Sequence, residues 1–247
     1  MKLNRQLNLL TAPMCLGALF LCSQNLRADP EKPWSADLEL GYVATTGNTE
    51  TTTIKTRADL TYEGEKWKNL THFDSLNTRE EEGRSAEKYF ISNKLDYKRD
   101  DNSYWFMYAS LDDDRFSGFE WQATGSAGYG RTFLQSRENM TLDIEAGPGY
   151  RASKIADELE GDTEDEVILR AYGKYQWSVS KNAVFEQELS MESGAENTIS
   201  KSTSSIKATI VGELALKLAY IVKYTDTVPS GKKHADTETS VTLVYSF

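Results

Sequence analysis

Cysteine is almost missing from this chain: 247 residues hold only Cys15 and Cys22. Both fall within the first thirty residues, so nothing downstream can rely on the disulfides that staple many exported domains. Cations are the scarcer charge, with 28 lysines and arginines against 38 acids and a formal charge of −10. A chain so acidic lacks the basic surface that neutralising nucleic-acid phosphates requires, so no nucleic-acid partner is expected. Beyond residue 30 no uncharged apolar run approaches the ~18 residues of a spanning helix, which excludes helical membrane spans there. What remains, with 16 Gly, 13 Tyr and 5 Pro, is enough chain for one sizeable domain.

The first segment has the pattern of an export signal. Lys2 and Arg5 give a positive start, Leu7 to Leu21 is mostly apolar, and Ala28 offers a small residue before Asp29, so residues 1–28 are expected to be a secretory signal peptide. A lipoprotein reading through Cys22 is disfavoured by Leu21, where Gly, Ala or Ser is usual. Removal of 1–28 takes Lys2, Arg5 and Arg27 and no acid, leaving residues 29–247 more acidic still.

From Trp34 to Phe247 the hydrophobic pattern has a period of two, the signature of strands with unlike faces. Met140, Leu142, Ile144 and Ala146 alternate with Thr141, Asp143, Glu145 and Gly147. Leu214, Leu216, Leu218, Tyr220, Val222 and Tyr224 share a parity opposite Lys217 and Lys223. About twelve such segments occur, at 35–45, 52–63, 66–76, 87–98, 104–112, 120–133, 139–151, 166–177, 183–192, 199–210, 214–225 and 236–247. Segment 66–76 has no consistent parity, since Trp67 and Phe73 oppose Leu70 and Leu76; its facing stays open, with a bulge as one solution.

Every second connection reads as a short turn, at Gly64-Glu65, 99–103, 134–138, 178–182 and 211–213. The others read as longer polar loops, at 77–86, 113–119, 152–165, 193–198 and 227–235. Tyr62, Trp67, Tyr97, Trp105, Trp177 and Phe185 all fall beside the short turns. This asymmetry, with rings at one level, predicts an all-β transmembrane antiparallel barrel with short periplasmic turns, both termini periplasmic and an interfacial aromatic belt.

The chain ends on an apolar strand, with Val241, Leu243, Tyr245 and Phe247 on one face. That ending looks like the signal by which the barrel-assembly machinery accepts its clients. Together with Gly41-Tyr42 followed by Thr46-Gly47-Asn48-Thr49, and with Ala146-Gly147-Pro148-Gly149-Tyr150-Arg151, the chain resembles the YdiY-like family of salt-induced outer-membrane proteins. The resemblance spans residues 34–247. It implies an outer-membrane barrel of undefined activity and brings no catalytic or ligand residues.

In hydrocarbon an unpaired backbone group costs several kcal/mol, so strands span only if the sheet closes. The polar parity must then point inward. That places Lys55, Arg57, Asp59, Lys94, Asp96, Asp143, Glu145, Arg151, Arg170, Lys174, Glu186, Glu188, Lys217, Lys223 and Glu238 in a candidate lumen. Both signs are present, so the charges can either pair across a filled barrel or line a water path. No ring of one sign predicts strong ion selectivity.

Catalytic and metal chemistry has little to work with. His72 has Asp74 two residues on, on the same face, a geometry that would suit a base in an outer-membrane hydrolase; no Gly-flanked serine accompanies it, and a polar pair in the lumen wall is the favoured reading. His234 reads as a solvated loop residue. The acidic runs Glu80-Glu81-Glu82, Asp112-Asp113-Asp114 and Asp157 to Glu166 read as outside loops that could share divalent cations with lipopolysaccharide phosphates; their spacing fits no calcium loop. No cofactor and no enzyme activity are expected. The expected role is an envelope barrel in a Gram-negative outer membrane, acting as a narrow pore for small solutes; the resemblance implies in addition a tie to salt or osmotic stress. A closed structural barrel, the hydrolase using His72 and a soluble secreted β-domain are the alternatives.

Overall fold

The computed structural model describes residues 33–46, 51–79, 85–114, 119–155, 162–229 and 231–247. The expected signal segment 1–28, the acids Glu80 to Glu82 and residues 157–161 of the 157–166 acidic run lie outside them. The described chain forms twelve strands: β1 (Trp34–Thr46), β2 (Thr51–Glu63), β3 (Trp67–Arg79), β4 (Ser85–Lys98), β5 (Ser103–Asp114), β6 (Phe119–Phe133), β7 (Met140–Ile155), β8 (Thr163–Ser180), β9 (Ala183–Gly194), β10 (Thr198–Val211), β11 (Leu214–Thr225) and β12 (Ala235–Ser246). Each strand pairs antiparallel with its sequence neighbours, and β1 pairs with β12, so the sheet closes into a barrel with no free edge.

Alternation decides which face of each strand meets the surroundings. Leu38 and Leu40 point out beside inward Glu39, Ile144 is 47% exposed beside Glu145 at 1%, and Leu216 and Leu218 flank inward Lys217. Aliphatic side chains outside and ionised ones inside invert a water-soluble protein, and they are what hydrocarbon around a closed sheet demands. Leu218→Arg should therefore lower the unfolding free energy by about 2–4 kcal/mol if the residue sits near mid-bilayer, read by urea titration in lipid vesicles. Undiminished stability would mean that this face meets water.

Segment 66–76 resolves without a bulge. β3 pairs in unbroken register with β2 and β4; Trp67 and Phe73 face out, while Leu70 and Leu76 line the lumen. Its outer face is polar in part, and the amides satisfy each other there. Asn69 Nδ2 donates to Asn93 Oδ1 at 3.1 Å, and Asn93 Nδ2 donates back to Asn69 Oδ1 at 3.2 Å.

The connections at one end are short and well hydrogen-bonded. Gly212 turns between β10 and β11 at φ +54°, a left-handed conformation that glycine adopts without strain. In the turn before β5, the Asp100 carboxylate accepts from the Ser103 hydroxyl and from the Asn102 amide at 2.9 Å. These bonds hold its pKa below the usual carboxylate range. Aromatic pairs cluster at this end: Trp34 with Tyr62, Trp67 with Tyr97 and Trp105 with Tyr129, at centroid distances of 4.8, 4.9 and 5.3 Å. β1 begins and β12 finishes at the same end, where Phe247 N donates to Ala36 O at 2.8 Å.

Several of the opposite connections are shorter than the sequence suggested, because the strands beside them run further. Asp112 and Asp114 belong to β5 and face inward, and Glu164 to Glu166 belong to β8. Polar residues continue the ladder past the apolar band, so a lack of hydrophobic alternation there is not a lack of strand. β7 and β8 run to 16 and 18 residues, longer than the ~9–11 that cross a bilayer.

Val241, Leu243 and Tyr245 face outward on the closing seam, opposite Tyr42, Leu40 and Leu38 of β1. The Tyr245 and Phe247 rings meet edge to face at 4.8 Å. On the far wall, glycines let β6 and β7 come together. A Cβ at Gly128 would lie 2.2 Å from Ala146 O, and one at Gly147 would lie 2.1 Å from Ala127 O.

Candidate functional site

Inward-facing side chains enclose a cavity of about 1300 Å³ along the barrel axis. Its lining runs from short-turn residues such as Lys66, Asp101 and Gln135 to Asp114, Asp236 and Thr237 at the other end. It includes fifteen lysines and arginines against seventeen aspartates and glutamates. A lumen this charged holds its wall in shape through ion pairs, and three groups of them can be distinguished.

The first group joins β1, β2, β3, β11 and β12. Arg57 lies 2.9 Å from Asp59 and 3.7 Å from Glu39. Glu39 also accepts from Lys217 at 2.8 Å and from the Thr242 hydroxyl at 3.1 Å. Lys55 bridges Asp74 at 3.2 Å and Glu238 at 2.5 Å. These contacts tie both sides of the β1–β12 seam to β2 and β11, so the two strands farthest apart in sequence are cross-linked electrostatically.

The second group is the most buried and centres on Glu145, whose side chain is 0% exposed. It pairs with Lys94, accepts from the Tyr104 hydroxyl at 2.9 Å, and lies 3.5 Å from Arg170. Lys94 also pairs with Asp96 at 3.2 Å. The Arg170 guanidinium sits 4.0 Å from the Tyr108 ring centroid, a cation–π contact that offsets part of its desolvation. Arg151 continues the chain to Glu166 at 2.5 Å and Glu192 at 3.5 Å. The third group is small: Lys174 lies between Glu186 at 2.9 Å and Glu188 at 3.1 Å.

One pair has a different reach. Lys223 of β11 contacts Asp112 of β5 at 3.1 Å, and these strands are six places apart in a ring of twelve. Twelve strands about 4.8 Å apart and tilted about 40° would close a circular ring some 24 Å across. A lysine and an aspartate laid end to end reach roughly 10 Å, well short of that span. The barrel is therefore flattened along the line joining β5 and β11. Lys201 of β10 crosses in the same direction, its Nζ 5.4 Å from the centroid of Phe90 on β4. Together they form a bar of side chains across the lumen near the loop end.

Fourteen of the fifteen lumen residues read from alternation line the cavity; Glu145 lies just behind its surface, under Lys94 and Arg170. Alternation did not supply Asp112, Asp114, Glu166, Glu192, Lys201 or Lys207. Asp112, Asp114 and Glu166 fall in acidic runs that looked like loop, Glu192 closes segment 183–192 without a marked alternation, and β10 carries Thr198, Ser200, Ser202 and Ser204 on its outer parity, so hydrophobicity could not tell its faces apart. Glu39 could have been found, because it sits between Leu38 and Leu40.

The expected His72–Asp74 pair is corrected. His72 Nδ1 meets Asp59 at 2.6 Å, while Asp74 is held by Lys55. The reason is register: His72 stands directly opposite Asp59 in the β2–β3 ladder, and a direct cross-strand neighbour is closer than one two residues along. The His72 ring also packs 5.6 Å from Phe90. Among the described residues no three histidines or carboxylates converge in a group that could hold a metal ion.

Comparisons with known proteins agree with this architecture. The family described as "Protein of unknown function, DUF481" matches residues 38–247. The uncharacterized protein YdiY of Escherichia coli (strain K12) is 32% identical over 220 residues, covering 89% of this chain and 85% of YdiY. Among solved structures, the NanC porin superposes with a TM-score of 0.58 at 10% identity, over 84% of this chain and 98% of that one. The translocator domain of the autotransporter NalP from Neisseria meningitidis gives 0.55 at 13% identity, over 87% and 89%. The shared fold is the closed outer-membrane type of barrel.

Proposed function

Because the chain belongs to the DUF481 family of proteins of unknown function, its role has to be read from its own lumen, and we propose that it is a narrow outer-membrane pore for small polar solutes. The observation that carries this reading is the cavity of about 1300 Å³, lined by charges of both signs from the short-turn residues to the loop end. A lumen meant only to be filled gains nothing from leaving that volume beside so many ionised groups, whereas hydrated walls suit passage of hydrated solutes. Likeness to a protein named as a porin is in keeping with it.

In this reading residues 1–28 direct export, the short turns face the periplasm, and the loop end meets lipopolysaccharide and the outside. The assembly machinery engages Val241, Leu243, Tyr245 and Phe247 on the seam. The barrel transports without covalent chemistry or a cofactor; His72 serves the wall, since Asp59 occupies its Nδ1. Production under salt or osmotic stress fits a pore narrow enough to limit solute flux.

Planar-bilayer recording of the refolded full chain tests the pore. Small, discrete unitary currents in KCl are expected. Their complete absence, in protein shown to be folded by heat-shifted mobility on gels, would leave a closed structural barrel, the reading that the Lys223–Asp112 crossing favours.

A further inference from the structure

The β10–β11 wall sets lysine against lysine twice: Lys201 stands opposite Lys223, and Lys207 opposite Lys217. Like charges directly opposite on antiparallel strands destabilise the pair. Neither strand contributes a carboxylate that could relieve them. Three of the four are matched by acids from other strands: Lys207 by Asp37 at 3.5 Å, Lys217 by Glu39 at 2.8 Å and Lys223 by Asp112 at 3.1 Å.

Lys201 is the exception. Among the described residues no carboxylate comes within ion-pair distance of its ammonium, which lies over the face of Phe90. The acids facing this part of the lumen are Asp74 and Glu238, which hold Lys55, Asp114, which pairs with Lys88, Asp112, which pairs with Lys223, and Asp236, which stands opposite Lys223 in the β11–β12 ladder. Two lysines whose Cβ atoms lie about 5 Å apart, one of them with unspent donors, present up to six N–H groups to the water path. A solute group with two or more anionic oxygens can take donors from both at once.

We propose that Lys201 and Lys223 form a binding subsite for the oxyanion group of a small solute, a phosphate or a cluster of carboxylates, just inside the loop end. Asp112 is the resident counter-ion. An arriving oxyanion replaces Asp112 on Lys223 and gains Lys201 as its second contact, so binding and release of the cross-lumen pair are one event. The subsite deepens the pore reading and rests on it for its physiological meaning, though not for its detection.

Calorimetric titration of the refolded full chain with inorganic phosphate, at constant ionic strength in KCl, tests it directly. Saturable binding is expected, weakened at least tenfold by Lys201→Gln and kept by Lys201→Arg. Lys98→Gln, at the short-turn end, should leave it unchanged. A parallel titration with citrate identifies which source of oxyanion binds more tightly. Wild-type protein that binds neither anion, or binding that Lys201→Gln leaves intact, overturns the subsite. In bilayers, phosphate added at the loop end should reduce the unitary current. Calorimetric binding without any unitary current keeps the subsite and removes the pore; current without binding keeps the pore and removes the subsite.

Discussion

Glu145→Ala should destabilise the folded barrel by about 3–5 kcal/mol, the loss typical when one partner of a buried ion-pair network is deleted and its cations stay behind. Lys94 and Arg170 would face each other across the gap, and the Tyr104 hydroxyl would lose its acceptor. The three groups stand on β4, β8 and β5 and cover Glu145 from the lumen side, so the gap would open behind them. Urea titration in lipid vesicles measures the loss, and a change below about 1 kcal/mol, the scale of an exposed ion pair, would mean that water already screens this site. Glu145→Gln separates charge from shape. It retains an acceptor for Tyr104 while removing the carboxylate, so its loss should be smaller than that of the alanine variant yet still well above the exposed-pair scale.

The second large effect concerns passage rather than stability. Asp112→Ser removes the acidic end of the bar that crosses from β5 to β11, and unitary conductance should rise about two- to fivefold, because side chains spanning a constriction set its resistance. The salt dependence should change as well. In the wild type, raising KCl from about 0.1 M to about 1 M shortens the screening length from about 10 Å to about 3 Å. The cross-lumen pair then loosens, and conductance climbs more steeply than the salt concentration. In Asp112→Ser the climb should be close to proportional. Equal conductance and equal salt dependence in the two proteins would mean that ions bypass the bar.

Neither prediction could have been written from the chain alone, although the strands that carry these residues could. Alternation gave twelve segments whose limits mostly lie within one to three residues of β1 to β12, because each strand separates hydrocarbon from water and that separation is written residue by residue. The pattern fails where the separation ends. Asp112 and Asp114 extend β5 beyond the apolar band, and no hydrophobic partner marks them as strand. It also fails in β10, where serines replace aliphatics on the outer face, and there it hid Lys201 and Lys207. Which charges meet is a question of register and of cross-section. Asp59 reaches His72 because the β2–β3 register makes them opposite, and Lys223 reaches Asp112 because the ring is flattened. Neither register nor flattening leaves a periodic trace in one dimension. The family resemblance, carried by glycine-rich strand motifs, reached the correct family and the barrel but said nothing of the lumen.

The placement of indole groups gives the molecule an optical asymmetry. Trp34, Trp67, Trp105 and Trp177 stand beside the short turns, and Trp121 stands near the opposite end of β6. Four of five emitters thus share one depth, so intrinsic fluorescence reports chiefly on a single leaflet boundary. Lipids brominated near the headgroup of that leaflet would quench most of the signal, while the same lipids in the other leaflet would reach a single emitter. During insertion, the emission spectrum becomes a clock for the arrival of one rim, without any attached dye.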